Sequence, residues 1–346
     1  MEPLRVMVTG AGSGVGQGII KALRFSSISL TIIAADIEIL NSGLFIADES
    51  LIIPRVENEG ALQQVIDIIE DKRIQVVMIG SEFDLSFFSE NKSVIEKETG
   101  ATVIVSPHDT VKIANDKWFT VEFLRKNNLP YPKSFLPLSI EDALEQAEEL
   151  GYPFIIKTRT GTSSRHQSIV NDIGQLINVY KDIPNPLLQQ LIDIPSHKLQ
   201  QEYTCSIFKC LDGSLVGPFT ARRTLRGGSS WVIEVDAFER IYPLLLAIGN
   251  ALPIMGSLNI QLMIGPNGPI PFEFNARFSG TTAVRAYFGF NEPELSLKNY
   301  IFKEKIENPT IRKGLALRYL EEVFVEGVNA DELVLPLPRG EVVRWF

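Results

Sequence analysis

The segment Pro271-Phe272-Glu273-Phe274-Asn275-Ala276-Arg277 alternates apolar and polar residues. As a strand it turns Phe272 and Phe274 to one face and Glu273, Asn275 and Arg277 to the other. The turn-rich run Gly265-Pro266-Asn267-Gly268-Pro269 precedes it, and a hairpin centred on Asn267 sets Gln261 opposite Glu273. Directly opposed residues lie about 4.5–5.5 Å apart, so a carboxylate and two carboxamides share one patch with a guanidinium at its end. Such oxygen donors suit Mg2+, which takes one or two carboxylates and completes its octahedron with water and phosphate oxygens. The guanidinium can offset negative charge developing on a phosphoryl or acyl phosphate group. The bland alternative is a solvated sheet face carrying one weak Glu–Arg pair.

Thr9-Gly10-Ala11-Gly12-Ser13-Gly14-Val15-Gly16 poses a different chemistry. It stands between strand and helix signals, with Asp36 at the end of the next strand. In the dinucleotide-binding pattern, glycines let the backbone approach a pyrophosphate, a helix N-terminus supplies N–H donors and an acid takes the ribose hydroxyls. The stretch also resembles the Thr-Gly-x-x-x-Gly-x-Gly form of short-chain dehydrogenases, which implies an NAD(P)-dependent oxidoreductase as the alternative function. That type needs Tyr-x-x-x-Lys, and none of the eight tyrosines has Lys four residues on. Any parallel sheet also needs a glycine turn where a strand meets a tightly packed helix, so the structural role is favoured.

The elements that must position these residues come in two styles. Over the first hundred residues, strands at 5–9, 31–35, 75–80 and 102–106 alternate with helices at 14–24, 61–72 and 85–97. This rhythm predicts a parallel sheet covered on both faces. Residues 108–128 read as one long helix whose stripe is Val111, Ala114, Trp118, Val121 and Leu124. Ser139 with Asp142 resembles a capping box for a helix running to Leu150, and Gly151-Tyr152-Pro153 leads into a strand at 154–157. Antiparallel signals come next. Strands at 203–211 and 215–223 flank the turn Asp212-Gly213, 234–251 reads as helical, and 257–264 with 270–275 form the second hairpin.

Composition sets the outer bounds. The 346 residues are 45% hydrophobic and 22% charged, as in an ordinary folded protein of two or three domains. A formal charge of −9 argues against non-specific binding to nucleic acid or an anionic membrane. Cys205 and Cys210 share a strand at odd spacing and point to opposite faces. They are expected to be unbridged thiols in a reducing compartment, and the three histidines are too scattered for a zinc site. No secretory signal precedes the first strand, and the longest apolar stretch, 242–256, is interrupted by Asn250 and Pro253. The expectation is a cytoplasmic protein with small-molecule partners.

With these residues in place, the sequence resembles the ATP-grasp superfamily, and within it the carbamoyl-phosphate synthase large-chain group and related carboxylate–amine ligases. Glu273-Phe274-Asn275-Ala276-Arg277 is similar to that family's Glu-x-Asn-x-Arg metal and phosphate strand, and Gln261 to the residue facing it. The resemblance implies Gln261, Glu273 and Asn275 as metal ligands. Asn115-Asp116-Lys117 resembles the family's Asp-Lys helix, and Phe154-Ile155-Ile156-Lys157 the strand whose basic residue binds phosphate. Thr162, Ser163 and Ser164, with Arg165 after them, fall where the family has a loop over the phosphates, with one glycine and several hydroxyls in place of the usual glycine-rich pattern. Gln189, Gln190, Leu191 and Ile192 look like the hinge that reads adenine, and Glu202 like the acid that accepts ribose hydroxyls. Gln261 and Glu273 would reach the nucleotide through the metal. Lys117, Lys157 and Arg277 would offset charge during phosphoryl transfer.

The acceptor residues are less sharply marked. Arg222, Arg223 and Arg226 lie beside Gly227-Gly228-Ser229-Ser230 and suggest an anion site; an exposed basic loop is the plain alternative. Ser279, Thr281 and Arg285 come directly after the metal strand and could close over an acyl phosphate. Gly12, in the glycine loop, would face the acceptor, while Glu82 and Asp84 at the end of a parallel strand could hold an amine.

The expected fold is thus mixed α/β and α+β. A Rossmann-like, pre-ATP-grasp domain (1–108) is followed by an ATP-grasp clamp with antiparallel sheets, made of a small subdomain with its linking helix (109–200) and a large subdomain (201–346). The expected activity is ATP-dependent phosphorylation of a carboxylate and its coupling to an amine, with two Mg2+ ions that Mn2+ could replace. A non-catalytic nucleotide-binding module is a further alternative. A homodimer is the assembly common among similar proteins.

Overall fold

The computed structural model describes residues 2–161, 166–192, 202–325, 330–332 and 342–343. The first unit is a parallel sheet of β1 (Leu4–Val8), β2 (Leu30–Asp36), β3 (Glu49–Ile52), β4 (Val76–Met78) and β5 (Thr102–Ile104), in the order β3-β2-β1-β4-β5. The helices α1 (Gly14–Arg24), α2 (Ala61–Asp71) and α3 (Asp84–Thr99) accompany it. Near-continuous apolar strands such as Leu30–Asp36 are what burial on both faces requires. Ser13 caps α1 by accepting from Gly16 N at 2.9 Å.

The next segment differs from its expected single helix. It breaks into α4 (His108–Asn115) and α5 (Lys117–Lys126) at Asp116, whose backbone is extended at φ −117° and ψ 114°. Asp116 prefers the cap to the helix interior. Its Oδ1 accepts from Trp118 N at 2.9 Å and Phe119 N at 3.2 Å, and Arg159 Nε lies 2.7 Å from its Oδ2. Lys117 thereby becomes the first residue of α5.

A four-stranded antiparallel sheet comes next, built from β6 (Ser134–Phe135), β7 (Phe154–Thr158), β8 (Gln167–Val170) and β9 (Pro186–Gln190) in the order β6-β9-β7-β8. The helices α6 (Ile140–Leu150) and α7 (Ile173–Tyr180) cover it through Ala143, Ala147 and Leu176. Ser139 does cap α6, accepting from Asp142 N at 3.2 Å, while Asp142 Oδ2 accepts from Leu138 N.

The last sheet holds six strands, β10 (Glu202–Lys209), β11 (Leu215–Arg226), β12 (Ser229–Val235), β13 (Gly256–Gly265), β14 (Gly268–Asn275) and β15 (Gly314–Leu317), in the order β14-β13-β10-β11-β12-β15. Helix α8 (Tyr242–Ala251), with α4 and α5, covers one face around Ile207, Leu245, Ile260 and Phe274. On the other face Phe219, Val235 and Phe290 share a core with Val8, Ile19 and Leu23 of the first unit. The short helices α9 (Thr282–Tyr287) and α10 (Glu292–Ser296) pack on α1.

Two sequence expectations change here. The expected basic loop is a hairpin in which β11 runs to Arg226, Gly227 and Gly228 turn at positive φ, and β12 returns. Helix therefore begins at Tyr242, not at residue 234; Trp231-Val232-Ile233 is β-branched and aromatic enough to hold a strand. In the β13–β14 hairpin, Gln261 does pair with Glu273, but the register then shifts so that Leu262 pairs with Pro271. Phe272 is the extra residue of this bulge. It faces the same cleft as Glu273, contrary to expectation, while Phe274 stays in the core.

Candidate active site

Two clefts meet at Glu273. The first lies between the four-stranded and six-stranded sheets. Lys157 on β7, Lys117 at the start of α5, Glu202 on β10, Gln261 on β13 and Glu273 with Phe272 on β14 line it. Gln189, Gln190, Leu191 and Ile192 form its rim at the end of β9, and Ile155, Gln167 and Met263 complete the wall. The residues that the sequence assigned to a nucleotide thus come together, except for Thr162, Ser163 and Ser164, which lie outside the described residues.

Electrostatics in this cleft favour an anion. Lys157 is only 7% exposed. Burial, and after it Lys117 close by, push its ammonium down to about 8 against the opposing pull of Glu273. Lys157 Nζ sits 5.7 Å from the Phe272 ring centroid. Lys117 is also lowered by burial, against the pull of Glu273, Glu82 and Asp116, and its Nζ donates to Gly161 O at 2.9 Å. For both cations burial outweighs the nearby carboxylates, of which Glu273 is common to the two, so an anion in the cleft would stabilise them.

A hydrogen-bonded line crosses the sheet at the cleft floor. Arg223 Nε donates to Glu202 Oε1 at 2.9 Å, its Nη1 to Ser230 Oγ at 3.0 Å and its Nη2 to Gln261 Oε1 at 2.9 Å. Gln261 Nε2 in turn donates to Glu273 Oε1 at 2.9 Å, and Asn275 Nδ2 donates to the same oxygen at 3.2 Å. The carboxylate and the two carboxamides therefore do form one patch. A metal fits this donor set: Glu273 supplies a carboxylate whose Oε1 now accepts from two amides, and turning those amides would offer a cation their oxygens.

The second cleft opens on the far side of Glu273 and Gln261, between the six-stranded sheet and the first unit. Ser13, Gly14, Val15, Ser81 and Glu82 come from the first unit; Arg223 and Ser230 from the β11–β12 hairpin; Asn259 and Asn275 from the β13–β14 hairpin; and Arg277, Ser279 and Thr281 from the segment between β14 and α9. Arg277 Nη2 donates to Glu82 Oε2 at 3.0 Å, which ties the two units together, and its buried Nε has no partner among the described residues. Ser279 Oγ and Thr281 Oγ1 lie 2.7 Å apart.

Several candidates stand elsewhere. Arg222 points to the opposite face of β11 from Arg223 and pairs with Glu234 at 2.5 Å. Arg226 lies 4.9 Å over Trp231. Neither lines either of these two clefts, because a strand alternates its side chains where a loop would not. Arg285 is wholly buried against Glu292 at 3.1 Å and does not reach substrate space. Gly12 also turns away: its N–H donates to Asp36 Oδ2 at 2.7 Å. Asp36, the acid that dinucleotide binding would need for ribose, is further engaged by Glu38 N. Asp84 is buried, its carboxyl pushed up to about 6 chiefly by burial, and does not line the cleft.

The sequence missed Asn259, Ser230, Phe272 and Arg318. Asn259 could have been found two residues before Gln261, on the same strand face. Arg318 carries no local signal.

Comparison with known proteins agrees with the fold. Residues 6–104 match the model of the PylC-like N-terminal domain, and residues 114–281 match the ATP-grasp domain. The carbamoyl phosphate synthase large chain of Sulfurisphaera tokodaii is 20% identical over 300 residues, covering 82% of this chain. The chain spans only 28% of that protein's length. Among solved structures, N5-carboxyaminoimidazole synthetase from Staphylococcus aureus, complexed with ADP, superposes with a TM-score of 0.72 at 14% identity, covering 92% of this chain and 83% of that one. The biotin carboxylase domain dimer of Hydrogenobacter thermophilus 2-oxoglutarate carboxylase, with MgADP and bicarbonate, gives 0.72 at 15% identity, covering 95% and 80%.

Proposed function

Starting from a chain that carries an ATP-grasp domain behind a PylC-like N-terminal domain, we propose that it is an ATP-dependent ligase that phosphorylates a carboxylate and joins the acyl phosphate to an amine. The observation that carries this is Glu273, which lies where the lysine-lined cleft and the acceptor cleft meet.

In this mechanism Leu191 and Ile192 hold adenine at the end of β9, and Glu202 accepts from ribose. Lys117 and Lys157 take the phosphates, which supply the negative charge their burial calls for. Glu273, with Asn275 and Gln261 once their amides turn, would hold Mg2+, which would screen the phosphate oxygens. A carboxylate oxygen from the second cleft bonds to the γ-phosphorus as the bond to the β-phosphate oxygen breaks and ADP leaves. Arg277 stabilises the charge that develops. The amine then attacks the acyl carbon, phosphate departs and the amine proton goes to water. No protein nucleophile is required; position and electrostatics supply the rate.

The buried thiols Cys205 and Cys210 are unbridged, in keeping with a cytoplasmic setting, and among the described residues no helix is long and apolar enough to cross a membrane. The protein acts on small molecules, with a homodimer as its assembly. The direct test is ADP release from Mg2+–ATP over mixed carboxylic acids and amino acids. Melting temperature separates the alternatives, because only a bound ligand stabilises. A rise with Mg2+–ATP and none with NAD(H) is expected. A rise with NAD(H) alone would remove the ligase proposal, and stabilisation by ATP with no ADP release over the whole mixture would leave a non-catalytic module.

A further inference from the structure

The acceptor cleft is lined by three guanidinium groups, and two are already matched. Arg223 is paired with Glu202, and Arg277 with Glu82. Arg318 has no carboxylate at ion-pair distance among the described residues; Nη2 donates to Gly280 O at 2.7 Å. The side chain is half-buried, and burial alone holds its guanidinium below the ordinary range. A desolvated cation facing a cleft is unfavourable until an anion answers it. The other carboxylates there are committed, Glu82 to Arg277 and Glu273, by the ligase proposal, to Mg2+.

Arg318 reaches the cleft by a route no motif announces. It lies beyond both matched domains, which end at residues 104 and 281. Strand β15 joins the sheet edge by pairing Leu317 with Val232, and Arg318 N donates to Trp231 O at 2.9 Å. Those backbone bonds set Arg318 beside the β11–β12 hairpin, and its side chain reaches Gly280 O in the cleft that Ser279 and Thr281 also line. A planar guanidinium fork is shaped for a carboxylate.

We propose that Arg318 anchors the acid substrate: its guanidinium pairs with a substrate carboxylate in the acceptor cleft, so that the C-terminal segment helps to set which acids are activated. This deepens the ligase proposal and rests on it for the meaning of the cleft, but the anion site itself can be tested without ATP.

The experiment uses the full chain and the variants Arg318→Gln and Arg318→Lys. Acetate, L-glutamate and glutarate are titrated calorimetrically, with their neutral amides as controls, in the absence and presence of Mg2+–ATP. Wild type is expected to bind at least one acid and not its amide. Arg318→Gln should weaken that binding by about 10- to 100-fold, the range expected for losing a hydrogen bond to a charged group, and Arg318→Lys should recover part of it. Stabilisation by Mg2+–ATP should be the same in all three proteins. Equal acid binding by wild type and Arg318→Gln, or no binding of any of the three acids, overturns the proposal. Loss of the Mg2+–ATP response in wild type would instead overturn the ligase proposal while leaving the acid titration to stand or fall alone.

Discussion

Gln261 Nε2 donates to Glu273 Oε1 at 2.9 Å while Arg223 donates to the oxygen of the same carboxamide. Because a guanidinium can only donate, the amide has no choice of orientation in this state. The N–H groups of Gln261 and Asn275 now occupy the carboxylate oxygen where a cation would sit. On the proposed assignment of Gln261, Glu273 and Asn275 to Mg2+, binding would turn the two amides and loosen Arg223 from Gln261.

Glu273→Ala is expected to lower Mg2+-dependent ADP release by at least about 100-fold, as for loss of a preorganised charge-stabilising group. The side chain borders two clefts and supports little packing, so the urea midpoint should stay close to wild type. Steady-state ADP release with a parallel urea titration is the check. Full ATP-dependent activity in the variant would remove Glu273 from the site.

Lys157 gives a pH signature. Its folded pKa of about 8 lies below its ordinary 10.5, so below about pH 8 both folded and unfolded chains carry the proton and the burial cost is fully present. Between those two values the folded chain has released the proton and the unfolded chain has not, so stability from this group rises with pH. Phosphates would favour the charged form, so stabilisation by Mg2+–ATP should weaken as pH rises past about 8. Urea midpoints from about pH 7 to pH 10 should show a slope in wild type that is reduced in Lys157→Met. Identical slopes would mean that Lys157 does not titrate in this window.

Arg285 and Glu292 are both fully buried, and Ser206 and Ser257 each donate to Glu292 Oε1 at 2.5 Å. Removing one partner strands a buried charge. Glu292→Ala should cost about 3–5 kcal/mol, whereas the apolar double replacement Arg285→Met with Glu292→Leu should recover much of it. Urea unfolding of the two variants makes the comparison. A single variant within about 0.5 kcal/mol of wild type would show that the pair is not needed for stability.

The shared patch of Glu273 and Asn275 and the pairing of Gln261 with Glu273 were legible because a strand's period shows directly in its sequence. The parallel sheet was legible for the same reason, through strand–helix rhythm. What escaped depended on partners far along the chain. Asp116 breaks its helix because Arg159 and two N–H groups reward it as a cap. Phe272 enters the cleft because a single-residue bulge resets the face, which no period reveals. Arg222 and Arg223 are adjacent in sequence yet sit on opposite faces, so a cluster of three arginines contributes only one to the site. Arg318 needs the pairing of β15 with β12 before its position has any meaning.

The glycine motif is filled by backbone on both sides. A Cβ on Gly16 would lie 2.2 Å from Gly10 O and 2.7 Å from Gly10 C, backbone atoms that cannot swing aside. Gly80 meets the same junction, its Cβ position lying 2.3 Å from Thr9 O and 2.6 Å from Gly16 Cα. These glycines let β1, β4 and α1 approach, so their absence of side chains is a packing requirement. Gly16→Ala should destabilise the protein by about 1–3 kcal/mol through overpacking, while the fraction that folds keeps its Mg2+–ATP affinity. Urea unfolding gives the first quantity and calorimetry on the folded protein the second. If Gly16→Ala instead unfolds at the wild-type midpoint and abolishes a response to NAD(H), the loop serves a dinucleotide and its structural role is wrong.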